Sequence, residues 1–94
     1  MPHLLIRHHV DDYEAWKPRF DAQSWARRSF GASGCRIFVN ADDPHEVLML
    51  FDWDGHARAR LFMQSDELRD ALVREAHIDP EDVWFLDGLD ETPG

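Results

Sequence analysis

His8 stands between Ile6 and Val10 on one side of an alternating stretch, and Gln23 and Arg27 continue a stripe begun by Tyr13, Trp16 and Phe20. These are the residues whose types and spacing could do chemistry. An imidazole enclosed by aliphatic neighbours has its pKa lowered, which keeps it neutral and able to take a proton. An amide and a cationic fork facing it across an apolar space would orient a substrate oxygen and stabilise an enolate or carboxylate. His8 is therefore the candidate catalytic base, and Trp16, Phe20, Gln23 and Arg27 are the candidate substrate-binding residues. Each also has an ordinary role open to it. A core histidine bonds to a carbonyl or to a partner chain, Arg27 can carry its head out to solvent along its apolar stem, and Gln23 can sit at the helix rim.

The elements that must position these groups follow from the periodicity. His3 to Val10 alternates, with Leu4, Ile6, His8 and Val10 on one face, and reads as a first strand. Asp11, followed three residues later by Glu14, supplies a helix start, and the helical pattern runs to about Phe30, ending at Gly31 and Gly34. Pro18 lies inside that pattern, where it would cost about 3 kcal/mol, so the spacing predicts a short turn from Asp12 to Lys17 and a main helix with Pro18 in its first turn. Trp25 falls opposite the stripe and is expected at the surface.

Cys35 to Asn40 and Glu46 to Asp54 read as a hairpin about the turn Ala41-Asp42-Asp43-Pro44-His45. A second helix opens at Asp54-Gly55 with Leu61, Leu68, Leu72 and Ala76 on one side, and Ser65-Asp66-Glu67 resembles a second cap that can break it. His77 to Asp82 is a loop, Val83 to Leu89 a last strand, and Asp90 to Gly94 a polar tail.

The order β-α-β-β-α-β implies an α+β, ferredoxin-like fold: a four-stranded antiparallel sheet with two helices on one face, in one domain over residues 1–94. The third strand is apolar on both faces. Val47, Met49, Phe51 and Trp53 share one side and Leu48 and Leu50 the other, so it must be covered twice. Two helices cover one face of a small sheet, and a second copy of the chain is the expected cover for the other.

Nineteen acidic against ten basic residues leave a formal net charge of -9, which repels nucleic-acid phosphates and anionic membrane surfaces. The single cysteine, Cys35, rules out an intrachain disulfide framework and reads as a small buried hydrophobe rather than a nucleophile. No signal peptide or membrane-length apolar run stands out, so a cytoplasmic location is expected. The six histidines show no ligand spacing, and no metal site is expected. Trp53 and Trp84 read as core residues. Asp52, on the face of Leu48 and Leu50, calls for a cationic partner such as Arg7, Arg36 or a group of a second chain.

Several segments resemble the dimeric α+β barrel superfamily, the small antibiotic-biosynthesis-monooxygenase-like and polyketide-cyclase-like proteins. They are Leu5-Ile6-Arg7-His8, Asp12-Tyr13, Trp16-Lys17-Pro18, Asn40-Ala41-Asp42-Asp43-Pro44, Glu46-Val47, Asp52-Trp53-Asp54 and Ser65-Asp66-Glu67-Leu68-Arg69. The resemblance implies two sheets packed face to face into a barrel, with a small-molecule cavity between sheet and helices in each subunit. Oxygenase and haem-degrading branches of that superfamily place a histidine in the second helix, where this chain reads Leu61-Phe62-Met63-Gln64-Ser65 and has none. No cofactor is expected.

Two functional readings remain open. One is a homodimeric protein that binds a hydrophobic or aromatic small molecule and carries out cofactor-independent oxygenation or cyclisation. The other is a non-catalytic dimeric module whose cavity is filled by its own aromatic side chains. An open cavity containing His8 and Arg27 would favour the first, and a packed interior with His8 bonded to backbone the second.

Overall fold

Period-two alternation builds the sheet seen in the structure, a computed structural model that describes residues 2–65 and 82–94. The strands are β1 (Pro2–His9), β2 (Ala32–Asn40), β3 (Asp43–Trp53) and β4 (Val83–Asp87), and the helices are α1 (Tyr13–Ala22), α2 (Ser24–Ser29) and α3 (His56–Gln64). The strand order is β2-β3-β1-β4, with every neighbouring pair antiparallel. This is the ferredoxin-like arrangement expected from the element order.

The register sorts side chains into two faces. Directly opposed residues share a face, so Cys35, Phe51, Leu4 and Phe85 form one row, Ile37, Met49, Ile6 and Val83 the next, and Val39, Val47 and His8 a third. Helices cover this side. Leu4, Ile6, Val47, Met49, Phe51 and Trp53 are buried there with Trp16, Phe20, Ala59 and Phe62. The opposite face carries Phe38 beside Leu48 and Arg7, then Arg36, Leu50, Leu5 and Trp84, then Asp52, His3 and Leu86.

That second face is bare in the single chain. Phe38 is 49% exposed and Trp84 and Leu86 are each 38% exposed, while Leu48 and Leu50 are only half-buried. Trp84 is thus not a core residue. Its place in β4 alternates it away from the helices, and Arg7 lies over its ring at 5.8 Å. Trp53 is core, with its indole N–H donated to the Phe30 carbonyl at 2.7 Å. Asp52 has a partner on the same face, His3, with Nδ1 2.9 Å from its carboxylate.

The first helical region differs from expectation in where it breaks. α1 runs through Pro18 without interruption, and the joint falls at Gln23, whose N–H turns back to the Phe20 carbonyl at 3.2 Å before α2 begins. Proline 18 forfeits one backbone bond, but Trp16 and Phe20 on either side of it are buried, each contributing about 1.5–3 kcal/mol of apolar transfer. Burial outweighs the lost bond. The N-cap is Asp12 rather than Asp11: its Oδ1 accepts from the Glu14 N–H at 3.1 Å, while Asp11 pairs with His9. Trp25 is exposed, as its position opposite the stripe requires.

α2 ends before Gly31, which takes φ +108°. A Cβ there would meet the Asp54 carboxylate, so both the backbone conformation and the space select glycine. Arg58 bridges this corner, donating to Asp54 and to the Ser29 carbonyl. In α3 the buried positions are Ala59 and Phe62, and Leu61 is 56% exposed, so the apolar side lies one residue away from that expected. Phe62 wins the interior place because its ring packs against Trp53 and Phe30. Ser65 leaves the helix with extended backbone, which agrees with a break there. Leu68, Leu72, Ala76, the rest of the second cap and most of the loop to Asp82 lie outside the described residues.

The hairpin is tighter than the sequence suggested. Asn40 pairs with Asp43, so only Ala41 and Asp42 form the turn, and the Asp42 N–H bonds the Asn40 side chain at 2.8 Å. Pro44 and His45 belong to β3.

Candidate functional site

A cavity of about 350 Å³ opens between the α1–α2 region and the helix-facing side of β2 and β3. It exists because the strand positions beneath it are small. Ala32, Ser33, Gly34 and Cys35 supply little side chain at the start of edge strand β2, and Phe20, Ile37 and Phe51 form an apolar floor. Tyr13, Lys17, Asp21, Ser24, Arg27 and Arg28 complete the wall from the helices.

Arg27 is the unusual member. It is 6% exposed, its guanidinium lies over the Phe20 ring at 3.8 Å, and its Nη1 is buried without a hydrogen-bond partner among the described residues. Burial pushes its pKa down from the ordinary value, and Cys35 and Asp21 oppose this, yet an arginine stays charged. Lys17 is paired instead, donating to both Asp21 oxygens at 2.6 and 2.7 Å. That bond raises its pKa against the opposing effect of burial.

Cys35 is not the buried small hydrophobe expected. As a residue it is exposed on its edge strand and lines the cavity. Enough protein surrounds the thiol for burial to push its pKa up to about 11, with Arg27 and Lys17 pulling the other way. It is a neutral thiol near pH 7 rather than a nucleophile.

His8 is 2% exposed, and its Nδ1 has no partner among the described residues. Burial, with a smaller contribution from His9, lowers its pKa, in the direction the sequence implied. Its ring lies 5.9 Å from Trp16, which in turn lies 4.9 Å from Phe20. The line of aromatic rings runs from His8 toward the cavity, but neither His8 nor Trp16 is on the cavity wall. Gln23 is half-buried at the helix joint and is not on the wall either.

The structure therefore brings Phe20 and Arg27 to the cavity and leaves His8, Trp16 and Gln23 beside it. Sequence reasoning missed Tyr13, Lys17, Cys35, Ile37 and Phe51 as wall residues. The run of small residues at 31–35 facing large aromatic ones was the available signal. Among the described residues no group of three or more potential ligands could hold a metal ion, and no helix is long and apolar enough to cross a membrane.

No family model matches the sequence, and no curated protein is similar to it in sequence. Solved structures do match. An antibiotic biosynthesis monooxygenase superposes with a TM-score of 0.66 at 14% identity, covering 96% of this chain and 100% of its own. SnoaB, a cofactor-independent oxygenase from Streptomyces nogalater, gives 0.64 at 13% identity, covering 99% and 97%. Rv0793 from Mycobacterium tuberculosis gives 0.62 at 18% identity, covering 97% and 98%. Likeness over nearly whole chains at such low identity is a statement about architecture: this chain has the fold of the antibiotic-biosynthesis-monooxygenase-like proteins.

Proposed function

We propose that this chain is a homodimer in which each subunit binds a small hydrophobic or aromatic molecule between its sheet and helices, for cofactor-independent oxygenation or cyclisation. The observation that carries the reading is the cavity itself. Trp16, Trp53 and Phe62 fill the interior over β1 and β3, yet the space over β2 stays open, with an apolar floor and a buried cation in its wall. A module filled by its own side chains would leave no such space, so the cavity favours the binding reading over the filled one. SnoaB, which shares the fold, supports oxygenation as the chemistry to test first.

His8 enters this reading in a restricted way. A general base must come within hydrogen-bond reach of the proton it removes, and His8 stands behind Trp16 rather than on the wall. Arg27 and Phe20 meet the bound molecule directly. His8 serves as base only for a substrate that displaces Trp16.

The bare sheet face supports the dimer in this reading. Phe38, Leu48, Leu50, Leu5, Trp84 and Leu86 place apolar side chains on this face of all four strands, with Arg7, Arg36, His3 and Asp52 among them. Covering it against a second copy would bury upward of about 1,200 Å² in total, the range of specific interfaces.

The experiment is a binding screen by amide chemical shifts with uncharged and charged bicyclic aromatics, followed by oxygen uptake with hydroxyaromatic compounds among those that bind. Shifts at Gly34, Cys35 and Ile37 are expected. If every compound leaves these amides unmoved, the cavity is not a binding site and the proposal fails.

A further inference from the structure

A charged donor that is buried and unpaired is expensive to keep. Arg27 is in that condition. Its ring contact with Phe20 satisfies the face of the guanidinium but none of its N–H groups, which lie in the plane. The one carboxylate in the cavity wall, Asp21, is taken by Lys17. No ion pair reaches Arg27 among the described residues, and Nη1 is the atom left without an acceptor.

We infer that the cavity selects a ligand with an anionic oxygen group on an aromatic body, a carboxylate or an equally ionised oxygen, which completes the hydrogen bonding of Arg27 Nη1. The aromatic part lies against Phe20, Ile37 and Phe51. This rests on the cavity-binding reading above and adds the charge of the ligand to it. The cavity lies near the lower end of the range of small-molecule sites, about 300–1,000 Å³, so the ligand is compact. Overall charge works against such a ligand, since the chain carries a formal -9. Recognition must therefore come from local fields: of the wall cations Lys17 is neutralised by Asp21 and Arg28 is exposed, which leaves the enclosed Arg27 as the strongest. Salt in the medium should weaken binding only modestly because the pair is enclosed.

Two probes of matched shape test this: 2-naphthoate, which is ionised at pH 7, and its uncharged amide, 2-naphthamide. Each is titrated into the full chain and followed by the amide shifts of Gly34 and Cys35. Naphthoate should bind at least about tenfold more tightly than the amide, the least that one charge-assisted hydrogen bond contributes. In Arg27→Met the two probes should bind alike. If both bind the native cavity equally, the anion preference is wrong while the cavity reading stands. If neither moves Gly34 or Cys35, both fall together. The comparison on the native chain decides the matter even if Arg27→Met does not fold.

Discussion

Replacing His8 by leucine should leave the protein as stable or make it more stable, whereas alanine at the same position should weaken it. His8 is 2% exposed, with Nδ1 enclosed and unpartnered among the described residues. Leaving a buried polar atom unsatisfied costs about 1–3 kcal/mol, and a leucine of similar volume removes that cost. Imperfect repacking against Trp16 and Val47 offsets this by up to about 1.5 kcal/mol. The net effect runs from a loss of about 0.5 kcal/mol to a gain of about 3 kcal/mol, each kcal/mol being worth about 4–8 °C in Tm for a domain of this size. Alanine creates a cavity instead and should cost about 2–4 kcal/mol. The pH dependence gives a second reading. Burial lowers the folded-state pKa below the ordinary 6.5. Between the two values the unfolded chain holds more protons, so stability falls as pH drops below about 6.5 and through the folded pKa. His8→Leu should lose that part of the dependence. Urea unfolding at pH 7.5 and 5.5, at one fixed protomer concentration because a dimer's stability varies with it, measures both. A leucine variant that loses several kcal/mol, or one that keeps the full pH dependence, would refute the reasoning.

Other outcomes follow from the same structure. If the chain is the proposed dimer, Leu50→Asp, which places a charge in the middle of the bare apolar face beside Leu5 and Arg36, should convert it to monomer in light scattering; a dimer unchanged at micromolar concentration would place the interface elsewhere. Gly31→Ala should lower stability by at least about 1–3 kcal/mol, read by thermal melting, because φ +108° and the Asp54 carboxylate both oppose a Cβ. Trp53→Phe should cost about 1–3 kcal/mol by leaving the Phe30 carbonyl without its donor, and a melting point within one degree of the parent would contradict it. Haemin titration should give no sharp, stoichiometric Soret shift, since the only histidine in α3 is His56 at its first position, paired with Asp87.

Alternation and element order, which are local properties, were enough to read most of the architecture. Leu4, Ile6 and His8 on one side of β1 with Val10 just past its end, and Val47, Met49, Phe51 and Trp53 on one side of β3, are buried as their spacing required. The four-stranded antiparallel sheet followed, because few connections satisfy that order of strands and helices. The lowered pKa of His8 was legible too, since aliphatic neighbours imply burial and burial lowers the pKa. What tertiary structure alone decided was the competition between distant contacts. Pro18 was absorbed into α1 because Trp16 and Phe20 found a sheet to pack on, and Leu61 lost the interior to Phe62 because Trp53 and Phe30 offered it rings. Trp84 went to the bare face because the register of β4 with β1 placed it opposite Leu5. The site divided for the same reason. One stripe carried Trp16, Phe20, Gln23 and Arg27, but the open space lay over β2, so only Phe20 and Arg27 met it. A helical stripe states which residues point one way, and the missing volume that makes a cavity belongs to residues on another element, Ser33, Gly34 and Cys35, whose smallness has meaning only once the helices are laid over them.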